Sequence, residues 1–358
     1  MSEMWYTYWL ACVEGITGGR KCELCRKNGS AEAVYYIEEK GIREQTITEK
    51  EWEILKESKK KRNWREAYQK AVDRGIQMAV RGQKNYPKRL EELAGMPYAL
   101  FFIGEMPQEG IPSVAVVGAR RCSSYGEKMT LRFVERLAES GIQIISGMAL
   151  GIDGAAHRAA MKAGGKTVAV LGSGINVPYP RENYDIYHDI RNGGGVVLSE
   201  CGLDIRPDAF RFPYRNRIIS GLSSGVLVVE AREKSGSLIT ADQALEQGRE
   251  VYAVPGRITD SGSRGCNGLI RMGAVCVTQV EDILDEMGIN RAESKAFNKN
   301  LLAPAEKKVY SCVRLESRHI DDICFETGIS VSEVTQILYE LEQKRLIKQL
   351  VRNYYVRA

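Results

Sequence analysis

Between residues 113 and 278 the chain alternates short, wholly apolar runs with segments whose apolar positions recur at helical spacing. The runs are Ser113–Val117, Ile142–Ile145, Thr167–Leu171, Gly195–Leu198, Gly225–Val229 and Val251–Val254. Their length and β-branched content suit strands, and strands apolar on both faces belong in a parallel sheet covered by helices on both sides. Leu131, Val134 and Leu137 mark one intervening helix, and Gly141 follows where a helix stop is expected. The alternation predicts an α/β core with a doubly wound, Rossmann-like parallel sheet.

The flanks have other patterns. Residues 1–75 read as a small helical domain. Trp5, Tyr6, Tyr8, Trp9 and Leu10 supply the apolar face of a first helix, Gly15–Gly19 makes a turn, and Arg20–Arg26 opens a second helix. This outline fits a helix-hairpin-helix that holds a DNA phosphate, or a plain hairpin that packs on the next domain. The turn has no special donor beyond its backbone, which favours the plain hairpin. The charge run Lys56–Arg65, with Lys59–Arg62 consecutive, could touch phosphate but reads rather as a solvated helix face or linker.

Residues 76–290 form the expected core domain, and 291–302 a polar linker. Residues 303–358 have the order of a winged helix: a helix around Ile320–Glu326, a turn at Gly328, a helix opened by Ser330 and Glu333, and wing strands at Leu346–Leu350 and Asn353–Val356. Glu333, Glu340 and Glu342 on the second helix suit a DNA groove poorly, so contact with a protein competes with contact with DNA for this unit.

Composition narrows the class only slightly. The 358 residues are 27% charged and 44% hydrophobic with a net charge of +5, which permits a polyanionic partner without requiring one. No apolar run approaches the ~18–20 residues that cross a bilayer, so no membrane role is expected. The opening Met-Ser-Glu-Met-Trp has no leader pattern, and the nine cysteines lack framework spacing, so a reduced, cytoplasmic protein is expected. Cys22 and Cys25 form an isolated Cys-x-x-Cys; His157, His188 and His319 lie far off in sequence, so no metal is expected there.

Candidate chemistry sits on the loops after the strands, where ligands of doubly wound sheets bind. Gly118 allows close approach, Arg120 is a bidentate donor for phosphate, and Ser123 either caps the next helix or donates a hydroxyl. Gly147 begins a Gly/Ala-rich loop that ends at His157, which has no neighbouring nucleophile in sequence. Gly172 and Gly174 are two glycines of a dinucleotide fingerprint whose third is replaced by Val177, which disfavours a nicotinamide cofactor. Ser235 and Ser237 precede a helix and form either an anion cradle or a capped turn. The stretch Arg211–Ser223 carries Arg211, Phe212, Arg215, Asn216 and Arg217, cations and a ring suited to a polyanion with flat bases. The same residues can equally cap a helix and pair with carboxylates.

Together, Tyr86-Pro87, Val117–Arg120, Ser146–His157, Leu171–Pro180, Phe212–Ser223, Val229–Ala231, Ser235–Ala241 and Val254–Gly256 resemble the DNA-processing protein A (DprA/Smf) family over about residues 76–278. The resemblance implies an extended Rossmann-like core that binds single-stranded DNA, with no catalytic residues and no cofactor. It also implies a homodimer that protects incoming DNA and loads the recombinase RecA in natural transformation or recombination. By motif, Arg120 and Phe212–Arg217 would contact DNA, and the Gly-rich loops with Ser235 and Ser237 would line the pocket; Arg211 rests on the charge argument alone. Ala119 stands where the family often has serine. The competing class is a LOG-like phosphoribohydrolase, marked by Pro-Gly-Gly-x-Gly-Thr-x-x-Glu; here Thr240 is followed by Ala241, Asp242 and Gln243, with no glutamate.

Overall fold

All six apolar runs are strands, and three more join them. In the computed structural model, which describes residues 4–38, 47–289, 303–314, 317–343 and 346–357, the linker expected at 291–302 lies outside the described residues. The sheet comprises β1 (Gln77–Val80), β2 (Ala99–Gly104), β3 (Ser113–Val117), β4 (Gln143–Ser146), β5 (Thr167–Leu171), β6 (Gly195–Ser199), β7 (Gly225–Val228), β8 (Glu250–Ala253) and β9 (Val275–Cys276). Their order is β1-β2-β6-β5-β4-β3-β7-β8-β9. The run from β6 to β9 is parallel, while β2 pairs antiparallel with both β1 and β6. This is a doubly wound Rossmann-like sheet extended at one edge. Every residue of β3, β5, β6 and β7 is buried, as strands covered on both faces require.

The expected helix around Leu131–Leu137 runs from Ser124 to Glu139 and buries Phe133, Val134 and Leu137. The arginine-rich stretch is itself a helix, Arg211–Leu222, which buries Ile218, Ile219 and Leu222. Its apolar residues join the core on one face of the sheet with Val117, Val170 and Val228.

On the other face the N-terminal helices share one core with the sheet. Tyr8, Trp9 and Leu10 of the helix Met4–Cys12 pack in the same cluster as Phe101 of β2, Leu171 of β5 and Val197 of β6. The boundary expected after residue 75 is therefore a change of secondary structure within one packed unit spanning residues up to Gly288. The hairpin turn is pressed against this unit: a Cβ on Gly18 would lie 2.2 Å from the Met96 carbonyl oxygen. That geometry matches the plain-hairpin reading, because the turn's inner side is filled by protein. Lys56 and Lys59 of the charged run lie over the rings of Trp52 and Tyr35. Cys25 approaches the Tyr98 hydroxyl at 3.5 Å, and among the described residues no group of three or more metal-ligating side chains surrounds the Cys-x-x-Cys. Among them, too, no helix is long and apolar enough to cross a membrane.

The second compact unit is a winged helix. Helices Pro304–Cys312, Ile320–Thr327 and Val331–Gln343 enclose Ile323, Val334, Leu338 and Leu341. The wing is β11 (Ile347–Val351) and β12 (Tyr354–Arg357), with β10 (Arg318–His319) on the far side of β12. Gly328, at φ 66°, ends the second helix in the left-handed conformation that glycine adopts without strain.

The packing at the hairpin turn makes a paired prediction. Gly18→Ala forces a methyl into backbone and lowers unfolding free energy by about 1–3 kcal/mol. Gly19→Ala, whose methyl would meet nothing within 4 Å, leaves stability unchanged or raises it by up to about 1 kcal/mol. Urea midpoints of the two variants distinguish them; equal midpoints would contradict the close approach.

Candidate nucleic-acid interface

The sheet's chain order fixes where a ligand can sit. From the central β3 the chain winds outward through β4, β5 and β6, then returns to the other side of β3 with β7. The loops after β3 and β7 leave in opposite directions and open a crevice at their carboxyl ends. A cleft of about 670 Å³ lies there, lined by Gly118 and Arg120 after β3, Ala149 and Asp153 after β4, and Tyr179 after β5. Pro207 and Ala209 follow from the loop after β6, and Ser235, Gly236, Ser237 and Thr240 from beyond β7. The helix Arg211–Leu222 closes it with Phe212, Pro213, Arg215, Asn216 and Ile219.

Arg215 reaches the cleft lining, but its guanidinium is engaged by protein groups. It is only 6% exposed, and its Nη1 donates to the carbonyls of Gly147, at 2.7 Å, and Val170. Its Nε donates to Asn216 Oδ1 at 3.2 Å. Gly147 is glycine because a Cβ there would lie 2.6 Å from the guanidinium. Asp153, equally buried, accepts from the main-chain N–H of Gly147 at 3.1 Å and of Ala149 at 3.4 Å. Burial pushes Arg215 down to about 10 and Asp153 upward, and their mutual attraction opposes both shifts. His157 lies beneath them, fully buried and pushed down to about 3 chiefly by desolvation, with its Nδ1 2.8 Å from Thr167 Oγ1. It is a neutral structural histidine.

Two further arginines are also committed. Arg211 Nη2 pairs with Glu14 at 2.7 Å, and its Nη1 reaches Cys201 Sγ. Arg217 Nη2 pairs with Glu200 at 2.6 Å, and its guanidinium lies 4.0 Å from the Tyr214 ring centroid. Ser123 faces inward, donating its N–H and hydroxyl to the Glu230 carboxylate while its oxygen caps the helix Ser124–Glu139. Gly174 packs on Gly202 and Ile205 outside the cleft lining, with its N–H on the Ile205 carbonyl.

The open wall is built differently. Arg120 is exposed, and its guanidinium lies 5.2 Å from the centroid of Phe212. Phe212 in turn stacks on Tyr179, with centroids 5.6 Å apart and planes 29° from parallel. Gly172 makes room for this ring, since a Cβ there would lie 2.8 Å from a Phe212 carbon. Tyr179 and Tyr214 remain 43% and 50% exposed. On the opposite wall Ser235 and Ser237 share a hydroxyl–hydroxyl hydrogen bond of 2.8 Å at the N terminus of the helix Gly236–Glu246. Thus Gly118, Arg120, Phe212, Arg215, Asn216, Ser235 and Ser237 converge on one cleft, whereas Ser123, Gly147, Gly172, Gly174, Arg211 and Arg217 support it from behind or beside it. Sequence reasoning missed Asp153, although it is the one charge in an otherwise apolar Gly/Ala loop.

A mixed Rossmann-type sheet with its cleft at the switch point, followed by a winged helix, defines the class. The family model of DNA recombination-mediator protein A matches residues 77–288, and that of the DprA winged helix domain matches residues 293–351. The Smf protein of Escherichia coli strain K12 is 43% identical over 266 residues, covering 72% of this chain and 71% of that protein. The DNA processing protein DprA of Streptococcus pneumoniae strain R6 is 48% identical over 201 residues, covering 56% and 71%. The X-ray structure of DNA processing protein A from Streptococcus pneumoniae superposes with a TM-score of 0.68 at 36% identity, over 80% of this chain and 99% of that one. A structure of the single-stranded DNA binding mode of DNA processing protein A from Helicobacter pylori gives 0.53 at 29% identity, over 59% and 95%. The chain belongs to the DNA recombination-mediator protein A (DprA/Smf) family.

Because Arg215 is buried between carbonyls, Arg215→Met should lower unfolding free energy by about 3–5 kcal/mol, leaving Asp153 without its cation and two carbonyls without donors. A solvent-facing arginine would cost less than about 0.5 kcal/mol. Chemical denaturation reads the difference, and a near-wild-type midpoint would contradict the buried geometry.

Proposed function

We propose that the chain binds single-stranded DNA along the switch-point cleft without altering it chemically, protects incoming DNA and passes it to the recombinase RecA in the cytoplasm. The observation that carries the binding is the layered Arg120, Phe212 and Tyr179 on one wall of the cleft. A guanidinium with no carboxylate partner among the described residues attracts phosphate, and partly exposed rings beside it offer a stacking face that only unpaired bases can use. The N terminus of the helix Gly236–Glu246, with Ser235 and Ser237, supplies donors for a second phosphate. Arg120, Phe212, Asn216, Gly118, Ser235 and Ser237 are thereby the contact residues, while Arg215, Arg211 and Arg217 hold the wall in shape. The single-stranded DNA binding mode described for the Helicobacter pylori protein supports the same reading.

Lack of catalysis is supported by what lines the cleft. Asp153 is held by two main-chain N–H groups, and the serines bond each other with no basic partner among the described residues. Where a phosphoribohydrolase would carry its glutamate stands Gln243, whose amide donates to the Pro213 carbonyl at 3.2 Å. A homodimer is supported by exposed apolar side chains, Leu245 at 60% on the helix Gly236–Glu246 and Met272 at 74% just after the helix Arg264–Arg271.

Fluorescence anisotropy with labelled oligo(dT) tests the binding. Single strands should bind more tightly than a duplex of equal length, with log affinity falling against log salt by about 0.7 per phosphate contacted. Arg120→Ala should lower that slope by about one contact, and Phe212→Ala should weaken binding by about 1–3 kcal/mol. Salt-independent binding, or unchanged affinity in both variants, would sink the proposal.

A further inference from the structure

Arg120 is the exposed arginine of the cleft lining, and its own loop offers few side chains to brace it. Gly118 lacks a side chain, Ala119 contributes a methyl, and Arg121 is exposed. From across the switch point the loop is held by Glu230, two positions beyond the end of β7, while on its other side the Ile152 N–H donates to the Ala119 carbonyl at 3.3 Å. The Glu230 carbonyl accepts the Ala119 N–H at 2.8 Å. Its carboxylate accepts the Ser123 N–H, 3.1 Å and 3.0 Å from its two oxygens, and the Ser123 hydroxyl at 2.6 Å. Both ends of the segment carrying Arg120 are therefore bonded to Glu230, Ala119 to its peptide carbonyl and Ser123 to its carboxylate.

The surroundings are built for it. Glu230 is only 6% exposed, and among the described residues no Lys or Arg pairs with it. Its charge is met by the loop donors and by the N terminus of the 16-residue helix Ser124–Glu139. A Cβ on Gly126 would lie 2.2 Å from Glu230 Oε2, one on Gly262 3.0 Å from Oε1, and one on Gly118 2.9 Å from its carbonyl oxygen. Three glycines, one in the helix Ser124–Glu139 and two in separate loops, leave the space that the glutamate occupies. The carboxylate thus fills the anion seat that this helix terminus would otherwise present, and a phosphate entering the cleft meets Arg120 rather than Ser123.

We infer that Glu230 is a positioning residue for the DNA contact: it acts through the Gly118–Ser123 loop to aim Arg120 at the cleft. This rests on the single-stranded DNA reading above. Glu230→Gln keeps the side chain's size but removes the charge and turns one of the two oxygens facing the Ser123 N–H into an NH₂ donor, so the bonds to Ser123 lose their charge assistance and the N–H loses one of its two acceptors.

The test is a double-mutant cycle read by oligo(dT) anisotropy. Glu230→Gln should bind about tenfold more weakly than wild type, yet add nothing in an Arg120→Ala background. Ser123→Ala, a milder change, should follow the same non-additive pattern. Amide hydrogen exchange without DNA gives an independent readout. In Glu230→Gln the amides of Ala119 and Ser123 should exchange faster, while those of Val116 and Val117 in β3 stay protected. Additive losses, tighter binding in Glu230→Gln, or unchanged exchange at Ala119 and Ser123 would overturn the inference. Faster loop exchange together with wild-type protein that ignores oligo(dT) would instead overturn the DNA reading and leave the loop geometry standing.

Discussion

Adjacent parallel strands stay together as long as their backbones keep exchanging hydrogen bonds, and β4 and β5 stop doing so at Ser146 and Ala169. One residue further on, Gly147 turns away into the loop that forms the floor of the cleft. The buried guanidinium of Arg215 takes over at that point, bonding the carbonyls of Gly147 and Val170 where β4 and β5 no longer pair. Asp153 answers from the same loop through the N–H groups of Gly147 and Ala149. An ion taken this far out of water is costly unless its donors are satisfied, so the carbonyls and the carboxylate are as necessary to the arginine as it is to them. The rest of the site depends on this clamp, because it fixes the first turns of the helix Arg211–Leu222 and thus the ring of Phe212.

The charge on the cleft is accordingly selected rather than accumulated. Arg211 and Arg217, on the same helix, are balanced by Glu14 and Glu200. The helix terminus after Ser123 is balanced by Glu230. What remains for a polyanion is Arg120 on one wall and the N terminus of the helix Gly236–Glu246 on the other. A modest net charge of +5 is enough for such a protein, since a few uncompensated donors in one crevice set the local field.

Much of this was legible in the chain. Strands apolar on both faces announce themselves, and the runs at 113–117 and 167–171 match β3 and β5 to the residue. The antiparallel extension was not legible as sheet: β1 is four residues long, and Ala99–Gly104 lies outside the alternating span that signalled the core. Residue type and spacing also located the cleft, because glycines and arginines cluster after strands. They could not say which way a guanidinium faces. Arg120 and Arg215 look equally suited to phosphate in sequence, and only the positions of Gly147 and Val170 assign one to the interior. Likewise Ser123 reads as a cap or a ligand group until Glu230, 107 residues away, is seen to accept its hydroxyl.

The central claim is that a single strand lies in the switch-point cleft rather than on the winged helix. Photo-crosslinking of a halogenated deoxyuridine oligonucleotide to the full chain, mapped by mass spectrometry, tests it most directly. The account predicts adducts on Phe212, Tyr179 or Tyr214, abolished by excess unlabelled oligo(dT). Adducts confined to the helix Val331–Gln343 or the wing strands β11 and β12 would contradict it.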